Sequence, residues 1–305
     1  MDFKKAWLKF GNKKKYSEYK HEQLKQKRKF LYDNKIKNFL DNIDNCLNSK
    51  NEISFLHSGH LGDVVNALPL IKEIAKLKKC NYFIEAEKPI PKHLLGSSNP
   101  YGDFYLTNKS VDMILPLLKN QKYLSSAEKY RNQSIDINLN LFRELPINFN
   151  LDSVRWYFHL TGIHANLNDR YIDVNGHKSI KDKVVIIRSS RRKNIFINYK
   201  FLNKYKNIIF LGLKDEFIDL KKDIPNMEFY DCRDFLEMAE IIKNARVFIG
   251  NLSFGYTIAE GLKIPRILES NPDFPLVYPN GGNGFDFYFQ NHFQILFEKL
   301  YSQKV

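Results

Sequence analysis

Three short segments of this 305-residue sequence hold residue types able to handle a reacting hydroxyl and an anionic leaving group. The first is Ser58-Gly59-His60-Leu61-Gly62-Asp63-Val64-Val65-Asn66-Ala67-Leu68-Pro69-Leu70-Ile71. A carboxylate at a strand-to-helix turn, flanked by a glycine that permits close approach, stands where it can take a proton from a hydroxyl held in a cleft. An aspartate at a helix start also caps the helix, and the residues alone leave both roles open for Asp63. His57 and His60 place two imidazoles three residues apart, but no third ligand can be named, so no zinc site is expected.

The second segment is Arg188-Ser189-Ser190-Arg191-Arg192-Lys193, directly after a strand. Four cations at a strand's carboxyl end suit a leaving diphosphate, which arginine binds in bidentate fashion; a solvated basic loop is the alternative. The third segment runs strand, loop, helix: Ile249-Gly250-Asn251-Leu252-Ser253-Phe254-Gly255-Tyr256-Thr257-Ile258-Ala259-Glu260. Backbone N–H groups at such a helix start bind anions, and Ser253 and Thr257 add hydroxyl donors. Glu260, one turn further in, can accept from ribose hydroxyls or can simply be a first-turn carboxylate favoured by the helix dipole. The chain has no G-x-x-x-x-G-K-[ST] loop, no G-x-G-x-x-G after a strand, no H-E-x-x-H and no D-x-D. No metal-held diphosphate and no cofactor is therefore expected.

Hydrophobic patterning supplies the elements that must position these residues. In the first half, Ile53 to Leu56 and Tyr82 to Ile84 read as buried strands and Ile135 to Leu141 as an alternating one. Val64 to Leu77 reads as a helix whose start Pro69 leaves open between Asp63 and Leu68. From Glu87 to Gln133 the residues Pro89, Pro91, Gly96, Pro100 and Gly102 mark loops. In the second half, strands are predicted at Val184 to Arg188, Asn207 to Leu211, Met227 to Tyr230, Arg246 to Ile249 and Arg266 to Leu268. Between them come helices at Tyr199 to Tyr205, Lys214 to Lys222, Asp234 to Asn244 and Gly255 to Leu262. Such alternation describes a parallel sheet covered by helices on both faces, whose ligand site lies at the carboxyl ends of the strands.

The charge is distributed unevenly. There are 48 Lys and Arg against 34 Asp and Glu, and residues 1 to 50 alone hold 14 against 6, so +8 of the net +14 lies in the first sixth of the chain. Phe3, Trp7, Leu8 and Phe10 sit among these lysines at roughly helical spacing. Two readings stand for this basic helical extension: an interfacial helix drawn to anionic lipid headgroups, or a solvated helix packed against the body. No nucleic-acid module accompanies the charge, so no nucleic-acid partner is expected. Cys46, Cys80 and Cys232 are far apart and odd in number, which argues against a disulfide framework. No secretory signal or spanning run is visible, so a cytoplasmic protein is expected, peripheral on the membrane's inner face if the extension is interfacial.

Taken in order, the three segments resemble the family 9 glycosyltransferases, the lipopolysaccharide heptosyltransferase group. Gly62-Asp63-Val64-Val65-Asn66-Ala67-Leu68-Pro69-Leu70-Ile71 is similar to that family's G-D-V-x-x-x-x-P-x-[IL] pattern. Phe235 to Pro265, with Ala239-Glu240-Ile241-Ile242-Lys243-Asn244-Ala245 leading into Ile249-Gly250-Asn251, resembles its donor-site region. The resemblance spans about residues 52 to 270. It implies a GT-B fold, α/β, with two Rossmann-like domains facing a central cleft. The expected division is residues 1–50 as the extension, 51–176 as the acceptor-side domain, 177–284 as the nucleotide-sugar domain, and 285–305 as a helix packed across the domain junction. It also implies an inverting, metal-independent transfer from a nucleotide-diphosphate sugar to a hydroxyl of a cell-surface glycan or glycolipid precursor. Asp63 then matches the catalytic base, with His57, His60 and Gly62 on the acceptor-side loop. Donor binding falls to Arg188, Arg191, Lys193, Ser253, Phe254, Gly255, Tyr256, Thr257 and Glu260, Lys193 lying near a basic residue that contacts donor phosphate. Where the family usually has Asp-Ser-Gly and then a histidine, this chain has Leu252-Ser253-Phe254 and Thr257. An epimerase or hydrolase of sugar nucleotides, or a non-catalytic relative binding membrane or glycan, is the alternative.

Overall fold

A computed structural model describes residues 3–92, 102–147, 152–274 and 276–303. The chain opens with helices α1 (Phe3–Gly11) and α2 (Lys13–Leu31). They meet at a corner where the Asn12 side chain accepts from the Lys15 N–H at 3.0 Å, the cap that starts α2. A π turn, Tyr32–Ile36, leads into α3 (Lys37–Ser49). Ile36 and Ile43 are buried in the main core, so α3 lies against the body, whereas α2 buries no residue, exposes Leu24 and Phe30, and meets that core through half-buried Leu31 at its end. Packing against the body therefore describes α3 and the end of α2 at Leu31, not the rest of α2. The side chain of Phe3 lies outside the described residues.

The first sheet is built from β1 (Glu52–His57), β2 (Lys79–Ile84), β3 (Ser126–Lys129) and β4 (Ile137–Asn138), in the order β3-β2-β1-β4 with every pair parallel. Helices α4 (Leu61–Asn66), α5 (Leu68–Ile74), α6 (Asn108–Lys119) and α7 (Val154–Thr161) accompany it. The single helix predicted from Val64 to Leu77 is two helices, α4 starting at Leu61 and α5 following after Ala67. Pro69 sits in the first turn of α5, where its missing N–H leaves no bond unmade, so the break falls just before it. The strand predicted over Ile135 to Leu141 pairs only at Ile137 and Asn138. There the Asn138 side chain accepts from the Asn140 N–H at 3.0 Å and turns the chain into a 3-10 segment, Leu139–Glu144. The loop signals at Gly96 and Pro100 lie outside the described residues.

The second sheet contains β5 (Lys183–Ile187), β6 (Ile208–Phe210), β7 (Glu228–Phe229), β8 (Ala245–Asn251), β9 (Arg266–Glu269) and β10 (Gly284–Phe287). Its order is β10-β9-β8-β5-β6-β7, all parallel, with α8 (Lys214–Leu220), α9 (Phe235–Lys243), α10 (Phe254–Leu262) and α11 (Gln290–Tyr301). The five predicted strands are present. The helix predicted over Tyr199 to Tyr205 is a 3-10 turn, Lys200–Lys204. The segment from Phe285 is corrected in two ways: it begins as the sixth strand, and α11 packs on β8, β9 and β10 instead of across the junction. Phe293, Phe297 and Leu300, spaced by four and three, form a stripe that closes the core holding Phe210 and Phe287.

Helices join the halves, α4 against α10 and α6 against α9, and one apolar core takes residues from both. The strand order reverses between β1 and β4 in the first sheet and between β5 and β8 in the second. Ligand sites of doubly wound sheets lie at such reversals, beyond the carboxyl ends of the strands.

Candidate active site

The chain segments that leave β1, β5 and β8 line a common cavity of about 210 Å³. His60, Gly62, Asp63 and Asn66 face it from the first sheet, and Arg191, Arg192, Ser253, Phe254 and Thr257 from the second.

Asp63 occupies the first turn of α4, and its Oδ2 accepts the His60 N–H at 3.3 Å, so the capping role is real. The same oxygen accepts from Arg143 Nη2 at 3.0 Å. Arg143 stands in the 3-10 segment after β4, with its guanidinium 4.3 Å from the Phe142 ring centre and 4.7 Å from that of Tyr105. Its Nη1 donates to Asn140 Oδ1 at 3.2 Å, and the same Asn140 oxygen takes the Ser58 N–H at 3.0 Å. A guanidinium stacked and bonded in this way is a fixed donor. Sequence reading missed it because the segment passed for the end of a strand. The usable signal was a cation placed just beyond a strand next to the reversal.

His57 is not in the cavity but fully buried. Its Nδ1 accepts the Gly59 N–H at 2.9 Å, which leaves the ring proton on Nε2 to donate to Tyr157 Oη at 2.8 Å. The Tyr157 hydroxyl in turn donates to the Asp63 carbonyl at 2.8 Å. Burial holds the His57 pKa well below the ordinary histidine value, so the ring stays neutral and pins the loop and the backbone of Asp63. His60 does line the cavity, and burial lowers its pKa too, against the pull of Asp63 and with help from Arg143 and Arg191.

On the second sheet the expected donor residues divide. Arg191 reaches the cavity, and so does Arg192, which the expected set leaves out; its guanidinium lies 3.6 Å from the Phe274 ring centre. Arg188 does not: it is buried, with Nε 2.7 Å and Nη2 2.9 Å from the two carboxylate oxygens of Glu269. A guanidinium at the end of a buried strand needs such a partner. Lys193 is drawn out of the cavity by Asp219 on α8. Ser253, Phe254 and Thr257 line the cavity, whereas Gly255 and Tyr256 face the core. A Cβ at Gly255 would collide with Ile187, so this glycine serves the close approach of α10 to β5. Glu260 shares the buried face of Tyr256, four residues on, and is taken by Arg266 Nε at 2.6 Å, the Asn280 N–H at 3.1 Å and Lys263. It is not placed to meet a ribose in the cavity.

The loops are tied to each other. The Ser189 N–H donates to Asn251 Oδ1 and Asn251 Nδ2 donates to the Ser189 carbonyl, each at 2.8 Å. Ser253 stands at the N-cap of α10 but makes no side-chain cap, since its hydroxyl donates to the Asn251 carbonyl at 3.1 Å. The first amides of α10 are left to whatever anion enters the cavity. Arginines and these amides on one side, and a clamped carboxylate on the other, can receive a diphosphate and a hydroxyl together.

No protein-family model matches the sequence, and no curated protein matches it. Among solved structures, the chain is similar to E. coli ADP-heptose LPS heptosyltransferase II. The TM-score is 0.51 and the identity 11%, over 82% of this chain and 98% of that one. It is also similar to E. coli heptosyltransferase WaaC solved with ADP, with TM-score 0.53 and 9% identity over 82% of this chain and 99% of that one. Two doubly wound parallel sheets meeting at a cleft are thus the GT-B fold of the heptosyltransferases, and this chain has that fold.

Proposed function

We propose that the protein is an inverting glycosyltransferase that moves a sugar from a nucleotide diphosphate to a hydroxyl of a cell-surface glycan or glycolipid precursor. One observation carries the reading. Asp63 is the one carboxylate among the described residues lining the cavity, and it shares that cavity with Arg191, Arg192 and the uncapped start of α10 on the opposite sheet. Residues 51–176 hold the acceptor and residues 177–284 the donor. Asp63 takes the proton of the acceptor hydroxyl as that oxygen bonds to the anomeric carbon. The bond from that carbon to the diphosphate breaks, and the new charge is met by the two arginines and the α10 amides. The reading calls for no divalent cation. Leu252 and Thr257, which replace the family's acidic residue and histidine, both line the cavity and bear on which sugar is carried.

Thermal unfolding of the purified protein against ADP, GDP, UDP, CMP and TDP tests the donor pocket. ADP is the first choice because WaaC was solved with it. One nucleotide should raise the melting temperature, by the equivalent of about 2.7 kcal/mol at a hundredfold excess over Kd. A flat response to all five would argue against a working donor site. On the acceptor side, Arg143→Ala should lower kcat about tenfold to a hundredfold, the scale of a misplaced reacting group, with little change in donor KM. An unchanged kcat would remove Arg143 from the machinery.

A further inference from the structure

We infer that α1 and α2 form an arm that lies on an anionic lipid bilayer and is mounted on the acceptor side of the cleft. Residues 13 to 31 carry eight Lys and Arg against Glu18 and Glu22, and the helix they form buries nothing. Helix α1 packs on α2 and buries Leu8 but leaves Trp7 72% and Phe10 87% exposed. An aromatic pair held in water beside a strongly basic helix is matched by one kind of surface. The rings enter the headgroup layer, and the lysines, whose stems reach outward, meet anionic lipid. No described helix is long and apolar enough to cross the bilayer, so the arm lies on it.

The root of the arm fixes where that surface stands. Lys35 of the π turn pairs with Glu144 at 2.7 Å, Lys50 after α3 pairs with Asp136, and Ile36 and Ile43 are sunk in the core. Glu144 directly follows Arg143, the residue bonded to Asp63. The arm and the acceptor-side turn are therefore one mounted piece, and an acceptor delivered there is lipid-linked. That last step rests on the transferase reading; the arm itself does not.

The test is co-sedimentation of the full chain with phosphatidylcholine vesicles, with and without phosphatidylglycerol, at low and high salt. Binding should require phosphatidylglycerol and weaken with salt. It should fall at least about tenfold in Trp7→Ser/Phe10→Ser and in Lys13→Glu/Lys14→Glu/Lys15→Glu. Glutamates in the first turn of α2 favour the helix, so lost binding in the second variant is not lost folding. Both variants should keep the parent melting temperature and nucleotide response. Absence of wild-type binding, or equal binding by the variants, overturns the arm. So does retention on RNA in place of phosphatidylglycerol, or a dimer that disappears in Trp7→Ser/Phe10→Ser. Vesicle binding without any nucleotide response would strike the transferase reading and leave the arm standing.

Discussion

Replacing Asp63 by asparagine should lower sugar transfer by about a hundredfold to ten-thousandfold, the range expected for loss of a general base, while nucleotide still stabilises the protein. The two readouts separate because the residues proposed for the two functions lie on different sheets. The proposed donor site is formed by Arg191, Arg192 and the start of α10, none of which bonds to Asp63. Asparagine keeps the shape of the side chain and an oxygen that can accept the His60 N–H, but it cannot take up a proton at neutral pH. It also gives up the ion pair with Arg143, whose partners are both partly exposed, so the stability lost is about 1 kcal/mol or less. Product formation from the donor that the nucleotide panel identifies, measured beside the melting shift on the same preparation, decides the matter. Intact transfer would leave Asp63 as a helix cap alone, and loss of both signals would mean a disturbed loop instead of a missing base.

Glu269→Gln should destabilise the protein by about 3–5 kcal/mol, the cost of leaving a buried charge without its partner. Glu269 is wholly buried and receives four donors: Arg188 Nε at 2.7 Å, Arg188 Nη2 at 2.9 Å, the Asn194 N–H at 2.6 Å and the Tyr199 hydroxyl at 2.8 Å. Burial raises the Tyr199 pKa well above its ordinary value, and the nearby Glu269 adds to this, so the phenol remains a donor. An amide must turn its NH2 toward one of these donors, and the Arg188 charge then stays uncompensated. The site should suffer as well. Asn194 closes the loop that carries Arg191 and Arg192, so its release should weaken nucleotide binding before the protein unfolds. Denaturant unfolding of Glu269→Gln, Arg188→Met and the double variant tests the coupling. The double variant should be more stable than Glu269→Gln alone, because it removes both charges. Additive losses would show that the pair is not a unit.

Much of the cavity is legible in the sequence. His60, Asp63, Arg191, Ser253, Phe254 and Thr257 all fall in segments that follow predicted strands, and all line it. The misreadings share a cause. Arg188 and Lys193 follow a strand and Glu260 sits in the last turn of α10, and a formal charge says nothing of whether a partner already holds it. Tyr256 and Gly255 belong to the same segment as Thr257 but lie on the other face of α10, a distinction that depends on the helix's first residue, here Phe254.

The sequence by itself determined the succession of elements, because the signal that specifies them is local. Runs such as Val184 to Ile187 and Ile208 to Phe210 are apolar throughout, as strands buried on both faces must be, and the stripe in α9 repeats with the helical period. Only the tertiary structure decided which charges remain free to act. Arg143 reaches Asp63 across 80 residues, Glu269 takes Arg188 across 81, and Asp219 takes Lys193 across 26. Strand order makes the first of these pairings by setting β4 beside β1, and it sets β5 beside β8 so that Ser189 and Asn251 tie the donor loops together. The order in which strands assemble is written in no short stretch of chain. It follows from burying all the apolar faces at once.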